Sequence, residues 1–132
     1  MPQFLLIVDY RPGVDATPME QWKPAEVRAH MDYYDALNAK LTASGELIGG
    51  HALTQQAKTV TAGPGAAPVV TDGPFPESKE MLAGFQVVDV DSWERAVEIA
   101  ALVSQVPGPG GVPLQQPIVV REVMFDFKQP QD

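Results

Sequence analysis

The period of the apolar positions changes along the chain, and each change marks an element. Phe4-Leu5-Leu6-Ile7-Val8 is an unbroken run of β-favouring residues closed by Asp9-Tyr10-Arg11-Pro12-Gly13, which predicts a first strand buried on both faces. Thr17-Pro18-Met19-Glu20 has capping-box spacing with proline at the first helical position, and the second proline at Lys23-Pro24 moves the start of the long helix to near Pro24. Val27, Met31, Tyr34, Leu37 and Leu41 then recur at spacings of three and four, which predicts one inward stripe, and Gly45 closes the helix as a left-handed cap. Leu47 to Leu53 is short, apolar and interrupted by Gly49-Gly50, as in a strand with a bulge or a close backbone approach.

The segment from Thr54 to Met81 has a different character. Lys58 to Ala62 is rich in Thr and Val, Gly63-Pro64-Gly65 is a turn, and Pro68-Val69-Val70-Thr71 is extended again, so a small inserted hairpin is expected. Gly84 to Val90 alternates as a third main strand. A second helix follows from a cap at Asp91 or Ser92, with Trp93, Ala96, Val97, Ala100 and Val103 on its inward stripe. Pro107 to Pro117 is a Gly/Pro-rich loop, Ile118 to Phe127 supplies a last strand, and residues 128–132 form a polar tail expected to fray. The order is β-α-β, insert, β-α-β over one domain, residues 1–132, and predicts an α+β, ferredoxin-like fold: an antiparallel four-stranded sheet with both helices on one face. The other face would carry apolar residues with nothing to cover them, so a homodimer packing sheet on sheet is expected, against a monomer covered by its own loop.

Composition narrows the function classes. The 132 residues carry 17 acidic and 9 basic side chains, a formal charge of −8, without a basic cluster, so neither nucleic acid nor anionic lipid is an expected partner. No apolar run approaches the roughly 18 residues a membrane span needs, and a cytoplasmic protein is expected. The lack of cysteine removes thiol catalysis and Cys-based metal sites. Two histidines without an i, i+4 pairing argue against zinc, and neither a phosphate-binding glycine loop nor a nucleophile elbow is present, so no metal or cofactor is implied.

The most distinctive string is Val69-Val70-Thr71-Asp72-Gly73-Pro74-Phe75-Pro76-Glu77-Ser78-Lys79-Glu80, followed by Gly84-Phe85. Its plain reading is a turn in which Asp72 accepts downstream backbone N–H groups and Gly73 takes positive φ; the rival reading places Asp72 at the mouth of a cleft, orienting a catalytic group. The string resembles the DGPF-motif branch of the YCII-related proteins, a group of dimeric α+β barrels with ferredoxin-like topology. Leu5-Leu6-Ile7 resembles that family's first strand, Gly45-Glu46-Leu47-Ile48-Gly49-Gly50 its helix-to-strand turn, and Ile118-Val119-Val120-Arg121-Glu122-Val123-Met124 its last strand, with Glu122 standing where the family pattern has proline. The resemblance implies the fold and leaves the activity open.

His30 lies on the long helix one turn before Tyr34 and next to the Val27/Met31 stripe. An imidazole bordering the core beside a carboxylate is the most accessible general acid/base in a cysteine-free chain, whereas a histidine packed on Tyr34 at the helix surface is the plainer account. The resemblance implies a His-Asp pair with His30 as its histidine, through Arg28-Ala29-His30-Met31. Its carboxylate is Asp72, by the motif, or Asp9, at the end of the first strand. Arg121 on the last strand can hold a ligand carboxylate or pair on the surface, and Tyr34 and Phe75 complete the candidate ligand contacts. His51 is expected to face outward from the second strand. Two functions remain open: a small organic molecule bound in a cleft beside the sheet, with cofactor-independent acid/base chemistry at His30, or a non-catalytic binding or interaction module.

Overall fold

The computed structural model describes residues 2–72 and 82–125. Four strands form one sheet: β1 (Gln3–Asp9), β2 (Leu47–Ala52), β5 (Leu82–Asp89) and β6 (Ile118–Glu122), in the order β2-β5-β1-β6 with every neighbouring pair antiparallel. Helices α1 (Pro24–Ala43) and α2 (Trp93–Ser104) follow β1 and β5. The hairpin β3 (Lys58–Thr61) and β4 (Val69–Asp72) is inserted between β2 and β5 and pairs only with itself among the described residues. This is the α+β, ferredoxin-like arrangement that the order of elements predicts.

One face of the sheet carries the core. Phe4 and Leu6 from β1 and Val88 from β5 pack with Leu37 and Leu41 of α1 and with Ala96, Ile99, Ala100 and Val103 of α2. Both helices therefore cover the same side. The first strand is consequently not buried on both faces: Phe4 and Leu6 are 1% exposed, while Leu5 and Ile7, pointing the other way, are only half-buried. An unbroken apolar run here marks a strand with one face on the helices and one left open, because a two-helix layer has only one side to cover.

The caps form as their chemistry dictates. The Ser92 hydroxyl accepts the Arg95 amide at 3.1 Å at the start of α2, Pro24 opens α1, and Gly45 ends it at φ 81°. The Gly49-Gly50 signal divides between its two explanations: the register of β2 against β5 shifts between Leu47 and Gly49, and a side chain at Gly50 would run into the Phe85 backbone. Two inward stripes are rotated from expectation. On α1 the buried positions are His30, Leu37 and Leu41, with Tyr34 partly buried and Met31 half-exposed. On α2 Ile99 is buried while Val97 and Trp93 stand about half-exposed, Trp93 still meeting the Phe4 ring edge-on at 4.9 Å. The last strand ends at Glu122, short of the expected Phe127, and the tail 128–132 lies outside the described residues.

Candidate functional site

The end of β1, the first half of α1 and the loop before β6 meet at one end of the sheet. Strand β6 begins opposite Val8, and the Gln116 side-chain amide donates to the Asp9 and Arg11 carbonyls at 2.9 and 3.4 Å. Gly13 runs so close to the Leu114 carbonyl that a Cβ there has no room, and the Val14 amide donates to that same oxygen at 2.8 Å. The loop also reaches α1. The Gly110 amide donates to the Glu26 carboxylate at 2.6 Å, and the Glu26 side chain accepts the Lys23 amide at 2.9 Å. Those two N–H groups hold the Glu26 carboxyl below its usual range.

His30 lies one turn beyond Glu26 on α1 and is 8% exposed, so it is a buried histidine rather than a surface one. Its ring meets Trp22 and Tyr34 edge-on, each with centroids 5.3 Å apart, and Nδ1 lies 2.9 Å from the Pro107 carbonyl oxygen. A carbonyl only accepts, so Nδ1 carries the proton, and in the neutral ring Nε2 is left with the lone pair. Trp22 is fixed in turn by its indole N–H on the Thr17 carbonyl at 2.9 Å. Neither His30 Nε2 nor the Tyr34 hydroxyl finds a hydrogen-bond partner among the described residues. Burial, with a smaller contribution from Tyr33, holds the Tyr34 phenol above its ordinary pKa, so it stays a neutral donor and acceptor near neutral pH.

The two candidate carboxylates have other partners. Asp9 is 5% exposed and is wrapped by its neighbour: the Arg11 amide donates to Oδ1 at 2.9 Å, and the guanidinium Nε reaches Oδ1 and Oδ2 at 3.1 and 2.9 Å. Burial pushes the Asp9 carboxyl up, but the Arg11 side chain, amide and charge together outweigh it, and the net direction is down. Asp72 is exposed at the end of the inserted hairpin, where it accepts the Lys58 ammonium at 2.7 Å across the strand pair. Among the described residues no carboxylate is bonded to His30; the group that orients it is the Pro107 carbonyl, 77 residues away in the chain. A glycine- and proline-rich loop signals only a loop, so sequence periodicity gives no sign of that carbonyl, nor of Trp22.

Arg121 lies elsewhere. It is opposite Leu5 on β6 and therefore on the open face of the sheet, exposed, and its guanidinium makes no ion pair or hydrogen bond among the described residues. His51 is exposed on β2 and meets Phe85 edge-on at 5.6 Å, as expected of an outward-facing strand position. Gly73 to Phe75 of the distinctive string, and with them the candidate contact Phe75, lie outside the described residues. Among the described residues no cluster of histidines and carboxylates could hold a metal ion, and no helix is long and apolar enough to cross a membrane.

A search of the curated proteins finds no match to the chain. The model of the YCII-related domain matches residues 3–108, a span that runs from β1 to the carbonyl-bearing turn beside His30, and the chain belongs to that family.

Proposed function

We propose that the protein binds a small organic molecule beside the His30 ring, which presents Nε2 as a hydrogen-bond acceptor and proton acceptor next to the edge-on ring of Tyr34. The observation that carries this reading is the Nδ1 contact with the Pro107 carbonyl, because it fixes the tautomer and leaves Nε2 as the acceptor nitrogen, without a partner among the described residues, in an aromatic surround. A carbonyl in place of a carboxylate orients the ring without a negative charge to stabilise the imidazolium. The string around Asp72 supports placement in the DGPF-motif branch, with Asp72 serving the hairpin through Lys58. The working unit in this reading is a pair of copies joined through the open sheet face, whose half-buried Leu5, Ile7, Phe85, Val87 and Val119 have no covering layer among the described residues.

The test is a pair of substitutions read against a screen of phenol- and carboxylate-bearing fragments by ligand-observed NMR. The Asn amide in His30→Asn reproduces the Nδ1 donor and loses Nε2, while the longer amide in His30→Gln restores a polar group near Nε2. Fragments that bind the wild type should lose affinity in His30→Asn with the fold intact and recover part of it in His30→Gln. Equal binding to all three proteins removes the site.

A second reading, a module that binds a partner protein through the inserted hairpin, draws on the exposure of every residue of β3 and β4. A deletion of the hairpin that leaves fragment binding intact would separate the two.

A further inference from the structure

The turn that orients His30 is closed within itself. The Gly108 amide donates to the Val112 carbonyl at 2.9 Å, the Gly111 amide donates to the Gly108 carbonyl at 3.0 Å, and Pro107 bridges to Pro113. At its base the buried Leu114 donates its amide to the carbonyl of buried Val106 at 3.0 Å. Its ties to α1 are fewer: among the described residues two hydrogen bonds join them, from His30 Nδ1 to the Pro107 carbonyl at 2.9 Å and from the Gly110 amide to the Glu26 carboxylate at 2.6 Å. Glu26 and His30 are four residues apart and share one face of the helix, so the two bonds are adjacent rungs. The rungs are unequal. The Gly110 and Lys23 amides hold the Glu26 carboxyl below its usual range, and a hydrogen bond to an ionised acceptor is roughly twice as strong as one between neutral groups. The weaker rung has the chemical consequence, because a neutral ring that loses its carbonyl acceptor can carry its proton on either nitrogen. A retreat of the turn by about 0.7 Å takes the 2.9 Å contact beyond hydrogen-bond range. Glu26 also caps the helix, but through its other oxygen, which accepts the Lys23 amide at 2.9 Å.

We propose that Glu26 is a positioning residue for the His30 site: through Gly110 it holds the Pro107 carbonyl against Nδ1 and so keeps the proton off Nε2. This rests on the reading of Nε2 as the acceptor nitrogen and names the residue that makes it one.

Long-range proton-nitrogen NMR correlation of protein labelled with 15N-histidine reads the tautomer directly, since a protonated ring nitrogen and a bare one resonate far apart. Spectra are taken at about pH 8, above the ordinary imidazole pKa; His51→Gln identifies the His30 signals, and circular dichroism checks each fold. Three variants separate the turn contact from the helix cap. Glu26→Ala removes both. Glu26→Gln leaves one acceptor oxygen where the carboxylate has two, and glutamine serves at this capping-box position, so the cap persists while the two amides lose their separate acceptors. Lys23→Pro removes the cap donor alone: Lys23 at φ −67° and ψ 147° already has a shape proline adopts, and Trp22 before it is extended at φ −75° and ψ 153°. The wild type and Lys23→Pro should each show a protonated Nδ1 and a bare Nε2. Glu26→Ala should lose that separation, its two nitrogen signals moving toward each other, and Glu26→Gln should fall between; if Glu26→Ala does not fold, Glu26→Gln carries the comparison. Glu26 variants that fold and keep the wild-type signals overturn the positioning role alone, and so does a Lys23→Pro that loses the separation as they do, which traces the effect to the helix cap. A wild type whose Nε2 carries the proton overturns the His30 reading and this inference with it.

Discussion

Gly13 and Gly45 show how one residue type answers two different physical demands. At Gly45 the backbone sits at φ 81° with nothing near the place a Cβ would occupy, so the demand is conformational. At Gly13 the Leu114 carbonyl and the Gln115 backbone fill that place, so the demand is steric, and rigid backbone cannot step aside as a flexible side chain would. Gly13→Ala should therefore cost about 2 kcal/mol by overpacking, and Gly45→Ala about 1 kcal/mol by strain. Urea denaturation of four variants distinguishes the two causes: Asn, which tolerates the left-handed region, should recover part of the loss at Gly45 and none at Gly13. Equal recovery at both sites would mean that Gly13 is also held by its conformation.

Between elements, the strongest polar tie among the described residues joins the turn after α1 to the first turns of α2. Arg95 Nε and the second guanidinium nitrogen reach the two Glu46 oxygens at 2.6 and 2.9 Å, and the Ser44 hydroxyl adds a third bond at 2.8 Å. The Arg95 and Ser44 hydrogen bonds bring the Glu46 carboxyl from its ordinary 4.5 down to about 2. A carboxyl depressed in the folded state stabilises fully above its unfolded pKa and loses that contribution as pH falls through the folded one. The melting-temperature gap between wild type and Glu46→Gln should therefore be widest above about pH 5 and close as pH falls toward 2. Asp9 has the same sign, so a gap that stays constant over that range would assign the acid sensitivity to Asp9 and its Arg11 partner. The elements themselves are legible from sequence because local chemistry sets their ends: Pro24, Gly45 and Ser92 act within a few residues of the boundaries they mark. The faces of the helices are less legible. In α2 Val97, Ala101 and Leu102 are as apolar as the buried positions, so the stripe has two acceptable rotations, and contact with β1 selects the one that buries Ile99. The candidate site is legible only at His30 and Tyr34, since Trp22 and the Pro107 carbonyl come to the ring through tertiary contacts that no period encodes.

At the scale of the molecule, stability is unevenly spread. The hairpin β3–β4 exposes every residue, including Val60, Val69 and Val70, each more than half-exposed, and a two-stranded ribbon alone is marginal in water. Amides of residues 58–61 and 69–72 should exchange with solvent orders of magnitude faster than those of Phe4 to Val8, which lie between two paired strands. Hydrogen exchange read by mass spectrometry checks this, and equal protection would mean that the ribbon rests on a surface a single chain does not provide. The contact between His30 and Pro107 has a different whole-molecule consequence. Helix α1 can form early from its own caps and spacing, but the ring acquires its tautomer only when a turn 77 residues later closes onto it. During synthesis the histidine would therefore be in place long before it is chemically defined. Ligand recognition at Nε2 would then be a property of the completed fold, and binding at His30 would serve as a readout of whether the turn at Pro107 has docked.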